Sequence, residues 1–278
     1  MVRKASHALF SLFFPQDCRI CGHALYAITR IPVCPRCLAE PVPLSAEFFC
    51  VSCRTPFLNR FPLDEEGRCA LCRLGLRGFD AAYCFGSYEG VLRELIHLYK
   101  YGRIKTLARP LGELLAAALP RDERFDAVTP VPLHWRRQWR RGVNQAELLA
   151  RSIAGRHRIP MLPVLRRVHS TKVQAGLSNA GRRGNVSAAF AARGGIRGGV
   201  LGGLWGGDRG WGHAGGVRDK RILLVDDVMT TGSTAAACAL ALKRAGASRV
   251  ALLTVARVDR RFDGTRAAAA HPDVEVPF

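Results

Sequence analysis

Two adjacent carboxylates, Asp226 and Asp227, stand between a four-residue apolar run and a turn made of Thr230, Thr231, Gly232, Ser233 and Thr234. Hydroxyls and backbone N–H groups at the start of a helix form an anion site suited to a phosphate. Gly232 lets the backbone turn there and approach a ligand without a Cβ in the way. The carboxylates can accept hydrogen bonds from sugar hydroxyls, and the charge of a phosphorylated ligand invites a divalent metal. The chemistry expected of this segment is the binding of a sugar phosphate.

A second chemistry lies in the cysteines. Eight of the ten form C-x-x-C pairs: Cys18/Cys21, Cys34/Cys37, Cys50/Cys53 and Cys69/Cys72. Two thiolates on a tight knuckle reach one tetrahedral Zn²⁺, and two knuckles complete four ligands. One or two zinc ions are therefore expected. Spacing leaves the pairing open between a sequential arrangement and an interleaved one. His7 and His23 lie nearby but are not needed for a four-sulfur site. Cys84 and Cys238 sit in apolar settings and are expected to be buried thiols.

Hydrophobic periodicity supplies the elements that must position these groups. Residues 222–225 are continuously apolar, as a strand covered on both faces should be. Further strands are predicted at 79–88, 126–133 and 162–167. Helices are predicted at 91–101, 107–119 and 144–157, and from about residue 233. Alternating strands and helices argue for a parallel α/β sheet, with the acidic pair at a strand's carboxyl end, where such sheets bind ligands. The domain boundaries expected are an N-terminal helix or arm at 1–17, a cysteine module at 18–78 with little apolar content, and the α/β domain at 79–278. Metal ligation should supply most of the module's stability.

The formal net charge is +20, with 42 Lys and Arg against 22 Asp and Glu. Such a field favours phosphorylated ligands, nucleic acid or anionic surfaces. No apolar run reaches the length of a membrane span. The run at 8–14 is followed by Pro15 and cysteines rather than a cleavage site, so no signal peptide is expected and the location expected is cytoplasmic.

The segment 222–234 resembles the 5-phosphoribosyl-1-pyrophosphate (PRPP) signature of type I phosphoribosyltransferases, matched without a gap. The resemblance implies that Asp226 and Asp227 contact the ribose hydroxyls, directly or through Mg²⁺. It also implies that Thr230, Thr231, Gly232, Ser233 and Thr234 hold the 5′-phosphate. Val131-Pro132-Leu133 resembles the pyrophosphate loop of the same class, and Arg136 and Arg137 beyond it can hold phosphate oxygens bidentately.

The wider chain is similar to the ComF family, which includes GntX-type proteins and joins a cysteine module to a phosphoribosyltransferase-like domain. Its carriers are the four knuckles, residues 98–102 (LYKYG), 131–133 (VPL), 141–145 (RGVNQ), the stretch 166–190 and the signature at 222–234. The fold implied is a type I phosphoribosyltransferase-like parallel sheet flanked by helices, preceded by a small double zinc ribbon. In related enzymes a hood covers the acceptor; here it would come from 79–101 and 162–190, with Lys172 as a lid residue. The departure is a glycine- and arginine-rich insertion at 193–216 containing Trp205 and Trp211. It reads either as a passive linker or as a segment that stacks on single-stranded bases.

Two functions follow from the resemblance. One is Mg²⁺-dependent pentosyl transfer from PRPP to an unidentified acceptor, associated with DNA uptake in natural transformation. The other is a single-stranded-nucleic-acid-binding or adaptor protein, partnered by the DNA-uptake machinery, whose PRPP pocket acts as a sensor or is a relic.

Overall fold

A computed structural model describes residues 16–25, 30–75, 78–133, 143–167, 190–192 and 216–258. At its centre β9 (Arg221–Met229) and β10 (Arg249–Arg257) run side by side in parallel, paired from Arg221↔Arg249 to Met229↔Arg257. The strand β5 (Ala81–Ser87) extends the sheet beyond β10, and β6 (Ala127–Pro130) extends it beyond β9. All three pairings are parallel, with order β5-β10-β9-β6. Parallel strands buried on both faces need apolar residues at successive positions, and Ile222 to Val225 and Val250 to Leu253 are all at most 1% exposed.

Period-two alternation sorts these residues into two layers. Leu223, Val225 and Leu253 pack with Leu95, Leu111, Leu149 and Ile153, carried by α3 (Gly90–Lys100), α4 (Ala108–Ala117) and α5 (Gln145–His157). Ile222, Leu224 and Leu252 face Ala236, Ala239 and Leu242 of α6 (Ser233–Arg244) instead. Each buried leucine contributes about 1.5–3 kcal/mol to the fold.

The amino-terminal ends of the strands are tied by one carboxylate. Glu123 accepts from the Tyr83 hydroxyl at 2.8 Å and from the Arg221 guanidinium at 2.9 Å, and also pairs with Arg249. Burial, then the Glu123 contact, pushes the Tyr83 phenol up to about 12.

The cysteine segment lies against both layers. Short β1 (Gln16–Asp17) and β2 (Ala24–Leu25) form an antiparallel pair, followed by α1 (Pro35–Ala39). Cys18, Val33 and Cys37 join the apolar cluster of α3, α4 and α5. The pair β3 (Phe48–Phe49) and β4 (Pro56–Phe57), with α2 (Ala70–Arg73), belongs to the other side, where Cys50, Cys53 and Phe57 join the α6 cluster.

Three expectations are altered. The predicted strand at 162–167 shortens to β7 (Leu165–Arg167) and pairs antiparallel with β8 (Phe190–Ala192), outside the parallel sheet. The predicted strand at 126–133 shortens to β6, Ala127–Pro130, within that sheet. Cys84, on edge strand β5, is only partly buried, whereas Cys238, on α6, is fully buried. The N-terminal run at 8–14, His7, Lys172, Trp205 and Trp211 lie outside the described residues, as does the 193–216 insertion apart from Gly216.

Candidate functional site

The sheet opens at its carboxyl edge between β6 and β9. The β6 ladder ends with Pro130 opposite Val225, and the Val131 N–H still donates to Val225 O at 2.9 Å. The strand β9 runs on through Asp226 to Met229 with, among the described residues, β10 alone paired to it, Asp226 opposite Thr254. A strand projecting past its neighbour leaves a crevice, and the acidic pair stands at its wall.

Consecutive residues of an extended strand point to opposite faces, and the carboxylates separate accordingly. Asp226 lies on the α6 side and lines a cleft of about 60 Å³ with Thr230, Gly232, Ser233, Thr234 and Thr254. Since a single water needs some 10–15 Å³ of such volume, the cleft has room for a group the size of a phosphate. Asp227 lies toward α3, where Lys100 Nζ meets its Oδ1 at 2.8 Å; both side chains are about 15% exposed.

Burial, and then the charge of Asp227, push the Asp226 carboxyl up to about 7, against the Asp227 N–H and the more distant Lys100 ammonium. That N–H donates to Asp226 Oδ1 at 2.9 Å. Each carboxylate offers hard oxygens of the kind Mg²⁺ takes, Asp226 toward the α6 cleft and Asp227 toward α3, with one ammonium between two acidic groups.

The turn after β9 is shaped by Gly232, at φ +77°, ψ 0°, in the left-handed region. Gly232 is the N-cap of α6 and has no side chain with which to cap it. Its first amides face the end of the cleft with no acidic residue in the first turn. The Thr231 and Ser233 hydroxyls lie 3.0 Å apart, and the Ser233 N–H donates to Thr231 Oγ1 at 3.4 Å. Thr230, Thr231 and Thr234 are exposed, while Gly232 is buried. The five predicted phosphate-loop residues are thus contiguous around one helix terminus.

Across the crevice, Val131 is buried, and Pro132 and Leu133 are partly so. Asn144 holds this loop: its Nδ2 donates to Val131 O at 3.1 Å while its Oδ1 accepts from the Ala146 N–H, capping α5. The Tyr99 hydroxyl donates to Gln145 O at 2.8 Å. Tyr99 and Gln145, far apart in sequence, are therefore bonded to one another beside the site. Arg136 and Arg137 fall outside the described residues.

Lys100 was not singled out by the sequence, which offered it only within the LYKYG segment. The available signal was a lysine ending an amphipathic helix, too common to mark a site. Thr254 carried none, because its place in the cleft follows from strand register.

The cysteines resolve into two sequential tetrads, Cys18/Cys21/Cys34/Cys37 and Cys50/Cys53/Cys69/Cys72, with ligand atoms within 4.8 Å of one another. Sulfur separations of 3.7 Å for Cys21–Cys34, 3.6 Å for Cys50–Cys72 and 3.7 Å for Cys53–Cys69 match the ~3.8 Å edge of a tetrahedron with Zn–S bonds of about 2.3 Å. Backbone N–H groups of Cys34 and Cys69 donate to Cys18 Sγ and Cys50 Sγ, each at 3.3 Å. The Cys53 thiol draws Cys69 down to about 5 against burial, with help from the Cys72 amide. In Cys18 burial is outweighed by backbone N–H groups, which bring it to about 6. Thiolates held this way suit Zn²⁺, so two tetrads can bind it.

Comparison with known proteins agrees with this arrangement. The family model described as phosphoribosyl transferase domain matches residues 206–271. Competence protein F of Haemophilus influenzae is 31% identical over 196 residues, covering 68% of this chain and 78% of that protein. DNA utilization protein YhgH of Escherichia coli K12 is 30% identical over 177 residues, covering 61% and 69%. The Salmonella typhimurium protein of that name is 28% identical over 234 residues, covering 81% and 88%. Among solved structures, the glutamine PRPP amidotransferase from B. subtilis complexed with ADP and GMP aligns with TM-score 0.34 and 22% identity, over 54% of this chain and 26% of that one. A phosphoribosyltransferase-like parallel sheet with two cysteine tetrads, and a relative of this identity and coverage, give the assignment: the chain belongs to the ComF family of competence-related, phosphoribosyltransferase-like proteins.

Proposed function

We propose that this protein binds PRPP together with Mg²⁺ at the carboxyl edge of the sheet and transfers its 5-phosphoribosyl group to a nucleophilic acceptor. The observation that carries the reading is the α6 terminus behind Gly232, which has no N-cap side chain and opens on the same cleft as Asp226. The family and the phosphoribosyl transferase domain match support it.

In this reading the amides and hydroxyls of Thr230, Thr231, Gly232, Ser233 and Thr234 hold the 5′-phosphate. Asp226 and Asp227 accept from the ribose hydroxyls, and Lys100 orients Asp227 through their 2.8 Å contact. Val131, Pro132 and Leu133, braced by Asn144, present backbone groups to the pyrophosphate, with Arg136 and Arg137 as charge partners. Bound with the ligand, Mg²⁺ would neutralise phosphate charge as it leaves. The C1–O bond breaks with its electron pair going to pyrophosphate, while the acceptor's lone pair forms the new bond to C1 and the acceptor loses a proton. The transition state is oxocarbenium-like, so holding the reactants in line and stabilising the leaving group provide the rate.

Calorimetry with PRPP and Mg²⁺, followed by a pyrophosphate-release screen of bases and amines, tests the proposal. Uptake of PRPP, and release with one acceptor that is abolished in Asp226→Asn/Asp227→Asn, are expected. Absence of PRPP uptake by folded protein would sink it.

A second reading, binding of single-stranded DNA with the PRPP pocket as a sensor or relic, is favoured by one surface. Phe49 and Phe61 are 46% and 77% exposed, and the Arg54 guanidinium lies 6.0 Å from the Phe49 ring centroid. Exposed aromatics beside arginines suit stacked bases. The relatives' names, competence protein and DNA utilization protein, accord with work on DNA in the cytoplasm alongside uptake proteins. No described helix is long and apolar enough to cross a membrane. DNA affinity that falls steeply with salt and is lost in Phe49→Ala/Phe61→Ala is expected on this reading. Binding unchanged by that double substitution removes its support.

A further inference from the structure

The second tetrad does not stand apart from the phosphate loop. Between Cys69 and Cys72, helix α2 carries Leu71, whose Cδ1 would lie 2.9 Å from a Cβ built on Gly232. Leu71 therefore rests on the turn itself, over its left-handed residue. Met229, the last residue of β9, closes the other flank of Gly232, its Cε 3.2 Å from the same position. Met229 and Leu71 belong to one apolar cluster with Cys50, Cys53, Phe57 and Cys69.

Two more contacts fix the module to this end of the sheet. The Arg257 guanidinium stacks on the Phe57 ring at 3.9 Å and its Nη1 lies 3.8 Å from Met229 Sδ. Gly78, the last residue of the module, runs so close to α6 that a Cβ would sit 2.3 Å from Ala236 O. The helix whose amides form the anion site thus meets Gly78 at Ala236, and its N-cap Gly232 lies against Leu71, which the second tetrad brackets.

Accepting the reading of Thr230–Thr234 as a phosphate loop, we propose that Leu71 is a positioning residue for that loop, so that metal ligation at Cys50, Cys53, Cys69 and Cys72 sets its affinity for phosphorylated ligands. The physical basis is preorganisation. A helix terminus binds an anion well only when its amides are already aimed, and a displacement of about 1 Å at such a site can cost a factor on the order of 100. Thiolate ligation makes α2 rigid, and α2 presses Leu71 onto a glycine with no side chain of its own to hold the turn. The first tetrad packs in the opposite layer, so this control belongs to the second alone.

The test uses the full chain, with ribose 5-phosphate as probe for the loop and Mg²⁺-pyrophosphate as probe for the other wall of the crevice. Leu71→Ala is expected to weaken ribose 5-phosphate by about tenfold or more, leaving pyrophosphate affinity within about twofold. Its zinc content and melting temperature should match those of Leu74→Ala, a partly exposed leucine three residues on. Leu71→Met should restore most of the affinity. Cys69→Ser/Cys72→Ser should reproduce the selective loss while zinc falls from two equivalents to one. Wild-type affinity for ribose 5-phosphate in Leu71→Ala, or equal loss of both ligands, overturns the inference. Wild-type protein that binds pyrophosphate but not ribose 5-phosphate overturns the reading of the loop itself, and the inference with it.

Discussion

Lys100 Nζ lies 2.8 Å from Asp227 Oδ1, joining the last turn of α3 to the acidic stretch of β9. Both side chains are largely withdrawn from water, so removing the ammonium leaves a carboxylate with one charge partner fewer. Lys100→Met is expected to lower the stability of the ligand-free protein by about 1–2 kcal/mol, discounted for partial exposure. PRPP affinity should fall by about tenfold or more. Thermal unfolding and calorimetry check the two effects. Unchanged affinity would remove Lys100 from the site.

The Asp226 carboxyl gives a pH signature. Its folded value of about 7 lies above its ordinary 3.8, so the folded protein holds a proton that the unfolded chain releases between those values. Stability contributed by this group is present below about pH 4 and is lost as pH rises toward 7. Asp226→Asn should therefore stabilise the ligand-free protein at pH 8 by about 1–2 kcal/mol and change it little at pH 4. Melting curves at the two pH values measure this.

The same proton competes with ligand. If ribose hydroxyls and Mg²⁺ need the ionised carboxylate, PRPP affinity rises from pH 6 to pH 8, at most about tenfold per pH unit below the titration point and levelling above it. A flat profile across that range would detach Asp226 from binding.

Metal analysis of purified protein is expected to return two zinc equivalents per chain, as two independent sulfur tetrads require. Strong chelation should release both and expose apolar surface in both layers, because cysteines of each tetrad lie in those clusters. Dye binding and loss of near-ultraviolet dichroism report the exposure.

Glu123 works at the opposite end of the sheet, and its removal should separate stability from binding. Glu123→Ala leaves Arg221, Arg249 and the Tyr83 hydroxyl without their shared acceptor. A loss of about 1–3 kcal/mol is expected, since both arginines keep some access to water. PRPP affinity in the folded fraction should stay within about twofold of wild type. A specific loss of affinity would contradict the separation.

Much of this was legible in the sequence because the informative residues are local. The parallel sheet followed from apolar runs such as 222–225, and the sulfur sites from two-residue spacing. The left-handed turn followed from Gly232 amid hydroxyls. What stayed hidden depends on register and docking. Strand alternation sends Asp226 and Asp227 to different faces, and β9 continues to Met229 because β10 runs beside it; neither is visible in the DD pair. Lys100 and Leu71 gain meaning only from partners 127 and 161 positions away, beyond any periodicity. The hairpin of β7 and β8 joins segments separated by residues 168–189, so no turn signal announces it.

Gly78 shapes how such proteins can be rebuilt. A chain that crosses α6 with no room for even a methyl group cannot serve as a hinge or as a splice point. Chimeras that graft the amino-terminal third of one relative onto the α/β domain of another will have to carry the matching α6 surface with it, and a cassette beginning at Phe79 will expose a bare apolar scar on each side.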